Sequence, residues 1–227
     1  MIDAPSEKEL INKFNSTEET EQIDIETPEV TYGRTRILFV DLDNTLIRTA
    51  SRLTFPLGIW DMKINIGMIE SIKKYSPHLV VIITNQGGIE SGFVKEEHFI
   101  KKIEYIAAII SEYCDCKVEY QYCSTMDKDN PRRKPNIGML EPYLGKEYVS
   151  YLYVGDMASY TDKTGAFVPG IDQVTAENAK IPFKDVKEFM NDYSAYATAD
   201  KVKFDVPRAM ADTPGPKKLK FKLNIGL

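Results

Sequence analysis

The chain has 227 residues, 43% of them apolar and 28% charged, enough to bury one good core and to suit a single domain with extensions. A formal charge of −5 excludes the strongly basic surface of a tight, non-specific nucleic-acid binder, though not a nucleic acid held at one end. The longest apolar runs, such as "HLVVIIT" and "EYIAAII", are too short to cross a bilayer, so no membrane partner is expected.

The opening "MIDAPSEKEL" shows no basic region followed by an apolar stretch, hence no secretory signal. Residues 1–35 hold nine acids and three bases, which leaves the rest of the chain near neutral. This acidic arm is expected to carry at most one short helix near Glu7–Phe14 and to be mobile or laid across the domain. From Arg36 the pattern changes. Strands are expected at Ile37–Asp41, Leu79–Thr84, Val118–Ser124 and Tyr151–Gly155. A helix is expected at Ile66–Tyr75, and another through "EEHFIKKIEYIAAIISEY", where Phe99, Ile103, Ile106, Ile110 and Tyr113 recur at helical spacing. Shorter helices are expected at Ile137–Tyr143 and Val174–Ala179. Such alternation predicts an α/β fold with a mainly parallel sheet between two helical layers, and a ligand site at the carboxyl ends of the strands. The predicted division is an arm over 1–35, a domain over 36–192 and an extension over 193–227. The terminal "TPGPKKLKFKL" reads either as an edge strand with its lysines in water or as a basic strip for an acidic partner. Cys114, Cys116 and Cys123 form neither an even disulfide set nor a paired zinc pattern. They predict reduced thiols and an intracellular, cytoplasmic or nuclear, location. Nothing in the composition sets an oligomeric state.

Four segments carry chemistry. Asp41, Asp43 and Thr45 stand in "DLDNTL", at the end of an apolar run where like charges do not belong without a metal or a reaction. Alternation along a strand sends Asp41 and Asp43 to one side. Thr84 and Asn85 follow the strand in "VVIITNQGGI", Lys134 lies in "RRKPNIGML", and Asp156 closes the strand in "YLYVGDMASYTD". Singly, each has a plain reading as a cap, a turn or a solvated lysine. Jointly they suit phosphoryl transfer. One carboxylate attacks phosphorus, and a second gives a proton to the leaving alcohol and later takes one from water. Thr84, amides near Asn44 and Thr45, and Lys134 stabilise the phosphoryl oxygens. Magnesium is the expected cation, since it prefers carboxylate and water oxygens.

In order and spacing these segments resemble the haloacid dehalogenase (HAD) superfamily of phosphatases, over about residues 36–190. The resemblance implies a Rossmann-like three-layer sandwich. It makes Asp41 the nucleophile, Asp43 the general acid/base, Thr84 a phosphoryl ligand, and Lys134 the stabiliser of charge. Asp41, the Asp43 carbonyl and Asp156 would hold magnesium. The last acid has two candidates: "IDQVTAENAKIPF" nominates Asp172, with Asp162 as runner-up. Within the superfamily, "DLDNTLIRTASRLTFP", "TNQGGI", "RKPNIGM" and "YVGD" resemble the 3′-phosphatase domain of polynucleotide kinase/phosphatase. The chain departs from that pattern at Ser51-Arg52, at Trp60-Asp61 and through "GDMASYTD", which bears on DNA-end specificity more than on chemistry. Histidinol-phosphate and heptose-bisphosphate phosphatases share parts of this pattern but usually carry a cysteine-rich zinc loop, of which only Cys123 is present. The phosphate-cradling GxxxxGK[ST] of a kinase domain is also missing.

Only 43 residues separate Asp41 from Thr84 and 50 separate Thr84 from Lys134, too few for a large cap domain. An open site admits a polymer end. Arg48, Arg52, Arg132 and Arg133 then either grip the flanking backbone, with Asn85 beside them, or are ordinary solvated residues. The leading reading is a magnesium-dependent 3′-phosphatase of nucleic-acid ends. A small-molecule phosphatase and a catalytically weak binding module are the alternatives.

Overall fold

Valine- and isoleucine-rich runs form the centre of a parallel sheet, and the helices between them cover both its faces. The structure, a computed structural model, describes residues 34–193. The expected helix near Glu7–Phe14 and the basic tail lie outside the described residues. The chain runs β1 (Thr35–Val40), β2 (Ile47–Arg48), β3 (Lys63–Ile64), α1 (Ile66–Tyr75), β4 (Leu79–Asn85), α2 (Glu96–Cys114) and β5 (Lys117–Cys123). A 3-10 turn at Glu141–Tyr143 follows, then β6 (Val149–Gly155), β7 (Tyr160–Thr161), β8 (Phe167–Val168), α3 (Ile171–Asn178), β9 (Phe183–Asp185) and α4 (Val186–Tyr193).

The main sheet has the order β5-β4-β1-β6-β9, and every pairing in it is parallel. The chain builds outward from β1 through β4 to β5, then returns to lay β6 and β9 on the other side. β1 is therefore the point where the strand order reverses, and the crevice beyond its carboxyl end is where such sheets bind ligands. Two-residue alternation feeds two cores. Leu38, Val40, Val80 and Ile82 pack under α1, α2 and α4. Ile37, Phe39, Val81 and Ile83 pack against Met139, Leu140 and Tyr143 from the 3-10 side and Ala176 of α3. Together these make the three-layer α/β sandwich.

Some expectations need correction. Of the helix expected over Ile137–Tyr143, only Glu141–Tyr143 is helical, and that as a 3-10 turn. The preceding residues turn tightly onto the 131–136 loop, where a Cβ on Gly138 would come within 2.6 Å of the Pro131 carbonyl oxygen. α3 starts at Ile171 rather than Val174, which brings Asp172 into its first turn. Thr35 pairs with Val149, and α4 runs to Tyr193. β9 and α4 escaped the sequence pattern because each is too short to show a period. The three cysteines are unpaired. Among the described residues no helix is long and apolar enough to cross a membrane.

Candidate active site

The ladder between β1 and β6 runs to the site's edge, where the Asp41 amide donates to the Val154 carbonyl (3.0 Å). There the strand stops. The Leu46 and Ile47 amides both donate to the Leu42 carbonyl, and Asn44 adopts a positive φ of 64°, a backbone state that asparagine tolerates. This turn buries Leu42 and Asp41 while leaving Asp43 exposed. The expected pleat alternation across residues 41–43 is therefore replaced by a turn, since β1 ends at Val40. The Asn44 amide, expected to face a phosphoryl oxygen, donates instead to the Ile47 carbonyl (2.6 Å). Thr45 is fully buried, and its hydroxyl has no partner among the described residues.

Lys134 arrives from the loop after β5. Its ammonium donates to Asp41 Oδ1 (2.6 Å), Asp172 Oδ1 (2.7 Å) and the Ile83 carbonyl (3.2 Å). Asn85 clamps the backbone that carries it: Oδ1 accepts from the Lys134 amide (3.0 Å) and Nδ2 donates to the Lys134 carbonyl (3.1 Å). Asn85 lines the cleft, and both ends of its side chain are committed to holding Lys134.

Asp172 reaches the site from the start of α3. Its Oδ1 also accepts from the Tyr153 hydroxyl (3.2 Å), and its Oδ2 from the Met157 amide (3.1 Å). A Cβ at position 155 would lie 2.4 Å from Asp172 Oδ2. Only glycine leaves that approach open, which gives the "VGD" segment a physical reason. Asp156, next in the chain, is half-buried and takes a hydrogen bond from the Asn44 side chain. Asp41, Asp156 and Asp172 can each offer an oxygen within 4.8 Å of the others. Asp162 lies outside this group, in the β7–β8 turn, where Oδ1 accepts from Thr164 and Ala166. The Asp43 carboxylate is not part of the group either. Its Oδ2 accepts from Gln86 Nε2 (2.7 Å), which also donates to Thr84 Oγ1 (3.0 Å).

Burial pushes the Asp41 carboxyl up to about 8; Lys134 opposes the rise, and the Asp172 and Asp43 charges add to it. Asp156 is raised for the same leading reason, with Asp172 contributing. Burial works against the Lys134 ammonium, but Asp41, Tyr153 and Asp172 outweigh it and hold its pKa well above the usual range. Three clustered carboxylates thus face one ammonium, an excess of negative charge that a divalent cation would satisfy. Their oxygen-only donor set fits magnesium.

A cleft of about 810 Å³ opens beside Asp43. Arg48 and Arg52 line it; both are exposed, and neither side chain has a partner among the described residues. Asp61 orders the loop that carries Arg52, accepting from the Ser51 amide and hydroxyl (2.7 Å each) and from the Leu57 amide (2.8 Å). Thus Asp61 and Ser51, in two stretches that depart from the family pattern, supply the brace of one cleft wall. Phe55 on this loop stacks on Phe93 with ring centroids 4.7 Å apart. Arg133 does not line the cleft: its Nη1 donates to the Thr125 carbonyl (2.6 Å). Arg132 is turned to Gln121 and the Tyr122 carbonyl on β5. Gln86 and Tyr153 are the site residues that sequence reasoning missed. Gln86 stood in the quoted "TNQ", whereas Tyr153 looked like one more core aromatic.

Fold and site together define a class, the phosphatases of the haloacid dehalogenase type. Residues 36–209 match the family described as polynucleotide kinase 3 phosphatase, and the chain belongs to that family. It is also similar, at 27% identity over 166 residues, to an uncharacterized 20.8 kDa protein of the FGF-VUBI intergenic region of Autographa californica nuclear polyhedrosis virus; the match covers 69% of this chain and 86% of that protein. Among solved structures, a putative HAD-like phosphatase from Mesorhizobium loti superposes with a TM-score of 0.51 at 19% identity, covering 71% of this chain and 86% of its own. D,D-heptose 1,7-bisphosphate phosphatase from B. bronchiseptica gives 0.50 at 15% identity, covering 66% and 78%. Both structures share the fold.

Proposed function

We propose that this protein is a magnesium-dependent phosphomonoesterase that removes 3′-phosphates from nucleic-acid ends through an aspartyl-phosphate. The observation that carries this reading is the buried Asp41–Lys134 pair (2.6 Å) at the edge of an open cleft walled by Arg48 and Arg52. The family match over residues 36–209 supports the substrate class. The magnesium and phosphate in the B. bronchiseptica structure support the cation.

Lys134 holds Oδ1 of Asp41, while the other oxygen accepts no hydrogen bond among the described residues and is free to attack phosphorus. As that P–O bond forms, the bond to the terminal ester oxygen breaks, and the Asp43 carboxyl gives its proton to the departing alkoxide. Gln86 aims Asp43 at that oxygen and ties it to Thr84. In the second half, water attacks phosphorus, the Asp43 carboxylate takes its proton, and the Asp41 carboxylate leaves. Lys134, pinned by Asn85 and Asp172, stays in place as charge moves onto the phosphoryl oxygens, so little reorganisation is needed. Asp41, Asp156 and Asp172 would hold the magnesium ion, which supplies positive charge to the carboxylates and the phosphoryl group. The free thiols fit an intracellular setting, cytoplasmic or nuclear.

Phosphate release in magnesium, compared across a 3′-phosphorylated oligonucleotide, histidinol phosphate and an aryl phosphate, tests the reading. Fastest release per micromolar from the oligonucleotide is expected. Release from the small substrates alone would make the protein a small-molecule phosphatase, and no release from any would make it a binding module.

A further inference from the structure

Beyond the cleft lies a second cavity of about 240 Å³. One face of α2 supplies its basic residues, with Lys95 at the helix's N-cap position and His98 and Lys102 following at i+3 and i+7. No carboxylate lines it; Glu97 reaches His98 Nε2 at 3.6 Å from outside the lining. The cavity and the cleft share Pro56, Phe93, Val94 and Lys102 as walls, so the two adjoin, with Asp43 on the cleft side and His98 on the cavity side.

Lys102 is the unexplained residue. It is only 5% exposed, no hydrogen bond or ion pair holds its ammonium among the described residues, and it lines both the cavity and the cleft. Lysines with so little exposure are ordinarily paired. An anion from outside the chain would supply the partner that Lys102 lacks. No side chain caps the start of α2, whose amide end favours an anion, and the two acids of its first turn, Glu96 and Glu97, lie outside the cavity lining.

We infer that Lys95, His98 and Lys102 form a second phosphate subsite, which takes the internucleotide phosphodiester next to the terminal 3′-phosphate. The inference rests on the polynucleotide reading above and adds to it a reason for preferring a chain end over a single nucleotide. Lys102 makes the buried contact, while Lys95 and His98 hold the outer side of the phosphodiester. Base identity plays no part in such a contact.

The test is steady-state phosphate release from four substrates: thymidine 3′-phosphate, its 3′-phosphorylated dinucleotide, that dinucleotide with a neutral methylphosphonate linkage, and thymidine 3′,5′-bisphosphate. The expected KM for the ordinary dinucleotide is about tenfold below those for the mononucleotide and the methylphosphonate, as for a charged hydrogen bond, with kcat unchanged. Lys102→Gln should raise the dinucleotide KM to the methylphosphonate value and leave the mononucleotide KM alone, while Lys102→Arg keeps most of the gain. Equal KM values for phosphodiester and methylphosphonate in the wild-type protein would overturn the subsite, whether or not Lys102→Gln folds. So would an equal loss on all substrates in Lys102→Gln, which would mark Lys102 as structural, or a gain confined to the bisphosphate. Hydrolysis of an aryl phosphate with no release from any of the four would instead overturn the polynucleotide reading itself.

Discussion

The buried end of the site and the rim of its cleft are built on opposite terms. At the buried end, Lys134, Asp172, Tyr153 and Asn85 hold one another through short hydrogen bonds, with Lys134 and Asp172 almost wholly out of water. At the rim, Arg48 and Arg52 stand in solvent with no side-chain partner among the described residues, and Phe93 is 64% exposed. A charge that must meet a transition state gains from being immobilised in advance. A charge that must meet a polymer backbone of variable geometry gains from staying free. Changes at the buried end should therefore strike turnover on every substrate, and changes at the rim should strike affinity for long ones.

The largest effect is expected at Asp41, the proposed nucleophile. Asp41→Asn should lower kcat by at least ~10⁴-fold on oligonucleotide and aryl phosphate alike; turnover that survives on either would separate Asp41 from the chemistry. Lys134→Met should cost about 10²–10³-fold in kcat with a smaller change in KM, measured on the same two substrates. A loss on oligonucleotides alone would move Lys134 to the rim's side of the comparison.

Next comes pH. Burial keeps the Asp41 proton in the folded state up to about 8, while the unfolded chain releases it near 4. Between those values the folded protein binds more protons than the unfolded one, so stability must fall as pH rises. Denaturant midpoints of the protein in chelator are expected to decline from pH 4.5 to 8, a range chosen to lie inside that window of about 4 to 8. Asp41→Asn should flatten the decline and raise the midpoint at the alkaline end, because it relieves Asp172 and Asp43 of a like charge. A midpoint that rises with pH would show that Lys134 neutralises the cluster by itself.

The smallest effects are expected at the rim. Arg48→Ala and Arg52→Ala should each raise KM for oligonucleotides a few-fold, spare the aryl phosphate, and reduce the slope of log KM against log salt by about 1. Unchanged slopes would make both arginines ordinary solvated residues.

How far the sequence could be read follows the same division. Strand-ending residues such as Asp41, Thr84 and Asp156 stand out because a polar residue closing an apolar run is a local signal, and the parallel sheet then collects such ends at one edge. Asp172 was reachable through the helix whose first turn holds it, although its contact with position 155 depends on a glycine whose purpose only the packing reveals. What stayed hidden were partners made across the chain. Gln86 meets Asp43 over 43 residues, and Asn85 clamps Lys134 over 49; neither leaves a periodic trace. Arg133 looked available for substrate, but the loop at Thr125 takes up its guanidinium. The turn at Asn44, not the pleat of β1, places Asp43, and the sequence gives no bond pattern from which to read that.

The most direct test of the central claim is borohydride trapping during turnover of a 3′-phosphorylated oligonucleotide, followed by peptide mass spectrometry. An aspartyl-phosphate is an acyl phosphate, which borohydride reduces to the alcohol. Homoserine at position 41, dependent on substrate and missing from Asp41→Asn, is the predicted result. Reduction at position 43 instead, or none while phosphate is still released, would contradict the account.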